Sequence, residues 1–104
     1  MRPNRRVAMK LLHLNLKYEY FDQIHSGEKV EEYRLYNAYW IKRLINPDGT
    51  SVEYDGILIK RGYPKRGDTS RILERPWRGW TIKEITHPHF GNQPVKVFAI
   101  RVNP

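Results

Sequence analysis

From Leu11 to Leu16 the chain alternates leucine with His13 and Asn15, the pattern of a strand buried on one face. The period then changes. Tyr18 to Ser26 reads as a short helix, with Phe21 and Ile24 three apart on one face, and Gly27 supplies the left-handed residue at which a helix ends. Lys29 to Leu35 returns to strand, and parity puts Val30, Glu32 and Arg34 on one side and Glu31, Tyr33 and Leu35 on the other. A second helix is expected over Ala38–Ile45, where Ile41, Leu44 and Ile45 form a stripe before the turn Asn46-Pro47-Asp48-Gly49. Tyr54 to Lys60 contains Ile57, Leu58 and Ile59 and reads as a buried strand, while Trp80–Thr86 and Val95–Val102 alternate and close the set. Between them, Gly62 to Arg78 reads as a long polar loop, a length that in small domains often marks function. This order predicts an α+β fold: a small, mixed, partly closed β-barrel of about five strands with two or three short helices on its flank.

A chain of 104 residues has room for one core, expected over residues 9–104, with residues 1–8 as a flexible tail and Met9 as an alternative start. Arg2, Arg5 and Arg6 precede no apolar core, because Lys10 and His13 interrupt the stretch beyond them, so a secretory signal is not expected. No apolar run approaches the ~18 residues of a membrane span. There is no Cys, which excludes disulfides and thiolate metal sites and suits the cytoplasm.

Charge changes the picture more than composition does. The chain carries +8, unevenly placed. From Lys60 to Arg78, seven Lys and Arg face only Asp68 and Glu74, whereas from Glu19 to Arg34 five acids face Lys29 and Arg34. A surface charged only for solubility would not need that segregation, so a polyanion partner is expected. Arg61-Gly62-Tyr63-Pro64-Lys65-Arg66, with Trp77 and Arg78, mixes cations that grip phosphates with rings that stack on bases. Lys17, at the junction of the first strand and helix, joins these candidates. Trp80 begins an alternating strand and is expected in the core, while Tyr63 and Trp77 fit core and surface equally.

Glu32 and Arg34 share a strand face, within reach of each other and beside Lys29. Spacing alone favours a structural ion pair there over separate groups aimed into a cleft. His87-Pro88-His89 looks like a metal pair, yet only His13 and His25 could add another imidazole, so a rigid turn is the expectation and no metal or cofactor is assigned. One of these histidines lining a cleft as an acid or base stays open.

Leu-x-Leu before an aromatic helix, followed by Gly27-x-Lys29-x-x-Glu32-x-Arg34 and the closing strand at Val97 to Val102, resembles the ASCH domain family of the PUA-like superfold. The resemblance covers most of the chain. It implies a small β-barrel whose cleft holds RNA or a nucleotide-like ligand, with Lys29, Glu32 and Arg34 at its mouth. Some relatives act as amidohydrolases on N4-acetylcytidine through a lysine matching Lys29 and a threonine three residues later, with a distant glutamate. Glu32 stands where that threonine would be, and Glu53, Glu74 and Glu84 all remain open for the distant carboxylate. Other relatives imply ribonuclease activity. The expectation is therefore an RNA- or modified-nucleoside-binding monomer. The alternative is a hydrolase in which Glu32 serves as general base and Lys29 stabilises an oxyanion. A weaker alternative is a protein-interaction domain with incidental charge.

Overall fold

The computed structural model describes residues 9–104. The expected tail, residues 1–8, lies outside the described residues.

Six strands and two α-helices follow in the order β1 (Leu11–Leu16), α1 (Tyr18–Ser26), β2 (Glu31–Leu35), α2 (Ala38–Leu44), β3 (Gly56–Arg61), β4 (Ile72–Arg75), β5 (Trp80–Ile85) and β6 (Val95–Arg101). Short 3-10 turns at Thr69–Arg71 and Pro88–Phe90 complete the set. Gly27 ends α1 at φ 86°, in the left-handed region, and its N–H donates to the Ile24 carbonyl. Asn37 opens α2, its side-chain oxygen accepting from the Trp40 N–H at 3.0 Å. Among the described residues no helix is long and apolar enough to cross a membrane.

The fold is α+β, but its sheets do not close into a barrel. One sheet has the order β1-β3-β4, with β1 and β3 parallel; the other is antiparallel, in the order β2-β6-β5. The two pack face to face through Leu12, Leu14, Leu16, Ile57 and Ile59 on one side and Phe98, Ile100 and Val102 on the other. Phe21 and Ile24 of α1 and Leu44 of α2 fill the same core. Closure would require a backbone ladder between the sheets. Side chains make much of the seam instead. Arg34 Nη2 of β2 donates to the Asn15 carbonyl of β1 at 3.0 Å, and Arg75 Nε of β4 donates to the Val102 carbonyl at 3.0 Å.

The expected loop from Gly62 to Arg78 is a second departure, because it contains β4. Ile72, Leu73, Glu74 and Arg75 pair antiparallel with Lys60, Ile59, Leu58 and Ile57. Four residues with two adjacent apolar side chains show no period of their own, so only the neighbouring strand defines them as strand. The genuine connection, from Gly62 to Asp68, is correspondingly shorter.

The second face of the β2-β6-β5 sheet explains two small buried residues outside the main core. Val97 and Ala99 are fully buried, and Lys83 pairs with Val97 and Tyr33 with Ala99 across the sheet. Lys83 Nζ reaches Glu31 Oε1 at 2.7 Å, so long polar side chains lie over this face with their stems on apolar surface.

Candidate functional site

The cleft is built where β2 leaves α1. Gly27 turns the chain, Lys29 follows, and the two-residue period of β2 puts Glu32 and Arg34 on one face. Glu32 is 7% exposed, the buried carboxylate among the described residues. Its Oε2 accepts from Arg34 Nη2 at 2.9 Å, and its Oε1 lies 3.5 Å from Lys29 Nζ. The Arg34 contact has the length of a charge-assisted hydrogen bond. The Lys29 contact is longer, which leaves the ammonium positioned without being consumed.

Aromatic rings set the position of that ammonium. Lys29 Nζ sits 4.8 Å from the Tyr33 ring centroid and 5.3 Å from that of Tyr20, within the range of cation–π attraction. Burial raises the Tyr20 hydroxyl above its ordinary value near 10, with the Glu19 and Glu32 carboxylates adding to the shift. Burial also raises Tyr33, reinforced by Glu31. Both phenols therefore stay neutral around Lys29 at physiological pH.

The opposite wall comes from the segment after β5. Tyr20, Lys29, Glu32, Tyr33, His87, His89 and Phe90 line one cleft, with about 30 Å³ of free space at its floor. His87 and His89 meet the Tyr20 ring edge-on at centroid distances of 5.9 and 5.8 Å, and His89 packs on Phe90 at 4.9 Å. His87 Nδ1 accepts the His89 backbone N–H at 3.1 Å. The expected rigid turn is present as a 3-10 turn capped by His87. Both histidines line the cleft, where the sequence left one of them open.

Arg34 connects this cleft to the basic loop. From Glu32 it reaches over to the Asn15 carbonyl, and the Asn15 side-chain amide donates to the Gly62 carbonyl at 2.8 Å. Asn15, Lys17, Gly62 and Tyr63 then line an adjoining depression. Tyr63 is 90% exposed, which places it on the surface. Lys65 and Arg66 follow it on the exposed turn. The conformation here depends on Gly62, at φ 66°, because a Cβ would stand 2.7 Å from Tyr18 Cε1. Tyr18 is itself held by Arg61, whose guanidinium lies 4.1 Å from its ring centroid.

The remaining candidates are placed differently. Arg61 is engaged by Asp22 at 3.0 Å on α1, so its charge is partly neutralised by the acidic segment. Trp77 packs on Tyr54 at 5.1 Å beside the core, before the start of β3, and Arg78 donates to the Asn103 and Pro104 carbonyls. These two lie at the far end of β3 from Tyr63 and do not join the cleft. Trp80, expected in the core, is half-buried and packs edge-on against the core residue Phe98 at 5.0 Å. Of the seven cations from Lys60 to Arg78, only Lys60, Lys65 and Arg66 have neither an ion pair nor a side-chain hydrogen bond among the described residues. Glu53, Glu74 and Glu84 do not line the cleft. Sequence reasoning missed Tyr20, Tyr33, Phe90 and Asn15 as site residues, since each reads as an ordinary strand, helix or turn position.

Comparisons with protein-family models, with curated proteins and with solved structures found no match to this chain.

Proposed function

We propose that the chain is an RNA-binding domain of PUA-like, ASCH type, in which the Lys29–Glu32–Arg34 cleft receives a base or modified nucleoside and the Tyr63 loop holds the adjoining strand. One observation carries the reading. Lys29, Glu32, Arg34, Asn15 and Gly62 form a continuous chain of polar contacts from the cleft to an exposed ring flanked by unpaired cations. In this arrangement Glu32 accepts and Lys29 donates at one edge of the ligand. Tyr63 stacks on a neighbouring base, and Lys17, Lys65 and Arg66 meet phosphates. The cleft is small, so a polar edge of the ligand enters it while the rest lies against Tyr33 and Phe90.

Fluorescence anisotropy with single-stranded RNA, read against salt, tests this reading. Affinity is expected to fall with salt in proportion to the phosphates contacted. Tyr63→Ala should weaken binding by about 1–3 kcal/mol while changing stability by less than about 0.5 kcal/mol. Binding indifferent to both salt and Tyr63 would overturn the proposal.

A second reading, hydrolysis, is favoured by the convergence of His87 and His89 on Lys29 and Glu32. Glu32 would take a proton from water as the hydroxide adds to an acyl carbon, Lys29 would hold the oxyanion, and the acyl C–N bond would break as that proton passes from Glu32 to the leaving amine, with the histidines lining its path. Incubation with N4-acetylcytidine and with RNA, followed by chromatography, separates the two readings. Cytidine or RNA fragments formed by the wild type but not by Lys29→Ala would make the cleft catalytic; no turnover leaves it a binding site.

A further inference from the structure

At the opposite end of the β1-β3-β4 sheet, Lys10, Lys42 and Arg43 line a second concavity with Asn46, Val52 and Tyr54, with about 420 Å³ of room. None of the three cations forms a salt bridge among the described residues. Two of them are positioned by rings. The Arg43 guanidinium stacks 3.5 Å from the Tyr39 centroid and donates to the Tyr39 carbonyl at 3.0 Å. Lys10 Nζ lies 5.3 Å from the Tyr54 centroid, and the Tyr54 hydroxyl donates to the Arg43 carbonyl at 2.7 Å. Tyr39 is 56% exposed and holds the Arg43 guanidinium from outside the residues that line the concavity.

Lys42 and Arg43 occupy the last turn of α2, where cations complement the helix carbonyls. That accounts for neither Lys10, which belongs to a different part of the chain, nor the concave shape. The neighbouring acids are Asp55, which accepts the Lys10 backbone N–H at 2.6 Å, and the exposed Glu53. Three cations without carboxylate partners around the half-buried Tyr54 ring in a concave surface have the form of a single-strand nucleic-acid contact.

We propose that this concavity is a second phosphate-binding surface for the same RNA strand that occupies the Lys29 cleft. This rests on the RNA reading above. The six residues of β1 separate Lys10 from Lys17, and seven steps at ~3.3 Å per residue are about 23 Å. A strand stacked at ~3.4 Å per nucleotide covers that span with about seven nucleotides. His13 and Asn15 of β1, with Lys60 of β3, lie on the sheet face between the two ends; β1 carries no carboxylate, and Glu74 of β4, opposite Leu58, is the acid that shares this face.

The test measures anisotropy and its salt dependence for RNAs of about three and about twelve nucleotides, lengths that respectively cannot and can bridge the two ends. The proteins are the wild type, Lys29→Ala, and the double variant Lys10→Ala/Lys42→Ala, whose substituted side chains are exposed. Thermal melts verify folding. The double variant should lose affinity for the longer RNA, with a log–log salt slope shallower by about 1.4, or ~0.7 for each phosphate released. It should bind the shorter RNA as the wild type does, whereas Lys29→Ala weakens both. An unchanged slope on the longer RNA, with Lys29→Ala still impaired, overturns the second surface and leaves the cleft reading standing. Absence of RNA binding by the wild type overturns both.

Discussion

Gly62→Ala is the perturbation that most directly tests how the basic loop is held to the body of the protein. Gly62 has φ 66°, and a Cβ built there meets Tyr18 Cε1 at 2.7 Å, nearly an ångström inside ordinary carbon contact. Gly27 has φ 86° with nothing within 4 Å of its Cβ position, so it isolates the backbone cost alone. A non-glycine residue in this region costs about 1–2 kcal/mol. At Gly62 the Tyr18 ring must also leave the Arg61 guanidinium 4.1 Å away, which forfeits about another 0.5–1 kcal/mol for an exposed cation–π contact. Gly62→Ala should therefore cost roughly 2–3 kcal/mol and Gly27→Ala roughly 1–2 kcal/mol. For a domain of this size each kcal/mol is worth about 4–8 °C in Tm. Calorimetric melts of both variants, repeated in a Tyr18→Ala background, form a double-mutant cycle. In that background the excess cost of Gly62→Ala should vanish. Equal costs at the two glycines, or an excess that persists without Tyr18, would refute the reasoning.

Glu32→Gln leaves Lys29 and Arg34 facing each other without a carboxylate between them, and should cost about 2 kcal/mol by urea denaturation. A change below about 0.5 kcal/mol would remove the ion pair from the stability account. Asn37→Ala deletes the α2 cap and should cost about 1 kcal/mol, with Asn37→Ser restoring most of it. Alkaline titration offers a fourth test, because Tyr20, Tyr33 and Tyr54 all have hydroxyl pKa values raised first of all by burial. Their folded pKa lies above the unfolded value near 10, so the unfolded chain gives up its protons first. Stability is then fully present below pH ~10 and is lost as pH rises through the folded values. Chemical denaturation followed between neutral pH and pH ~11 should show that decline beginning near 10, and a flat profile would contradict the burial of these rings.

The candidate site was legible in the sequence where covalent proximity builds it. Lys29, Glu32 and Arg34 belong to one strand, and a period of two already aligns the last two. His87 and His89 were visible as a pair, yet nothing local places them against Tyr20, some 67 positions earlier in the chain, at 5.9 and 5.8 Å. Asn15 was read only as the polar member of a strand. Its role, taking Arg34 on its carbonyl and holding Gly62 with its amide, exists because three separate segments meet there. Trp77 and Arg78 show the reverse case. Their composition matched the Tyr63 loop, but β4 carries the chain back along β3 and delivers them to the other end of the sheet.

Local pattern alone determined β1, both helices, β2, β3 and the closing strands β5 and β6. Alternation, helical spacing, the Gly27 stop and the Asn37 cap all act within a few residues, where the backbone and its neighbours supply most of the free-energy difference. Composition likewise determined the net charge of +8 and the absence of cysteine. Tertiary structure decided the rest. β4 is a strand because β3 offers it a ladder, and between the two sheets, which share no backbone ladder, Arg34 and Arg75 supply side-chain hydrogen bonds. It also decided which cations remain free. Arg61 and Arg71 find carboxylates, and Arg75 and Arg78 find carbonyls, while Lys60, Lys65 and Arg66 find none of these among the described residues. A charge count is a property of the chain, but whether a charge is available to a partner depends on what folding has already placed beside it.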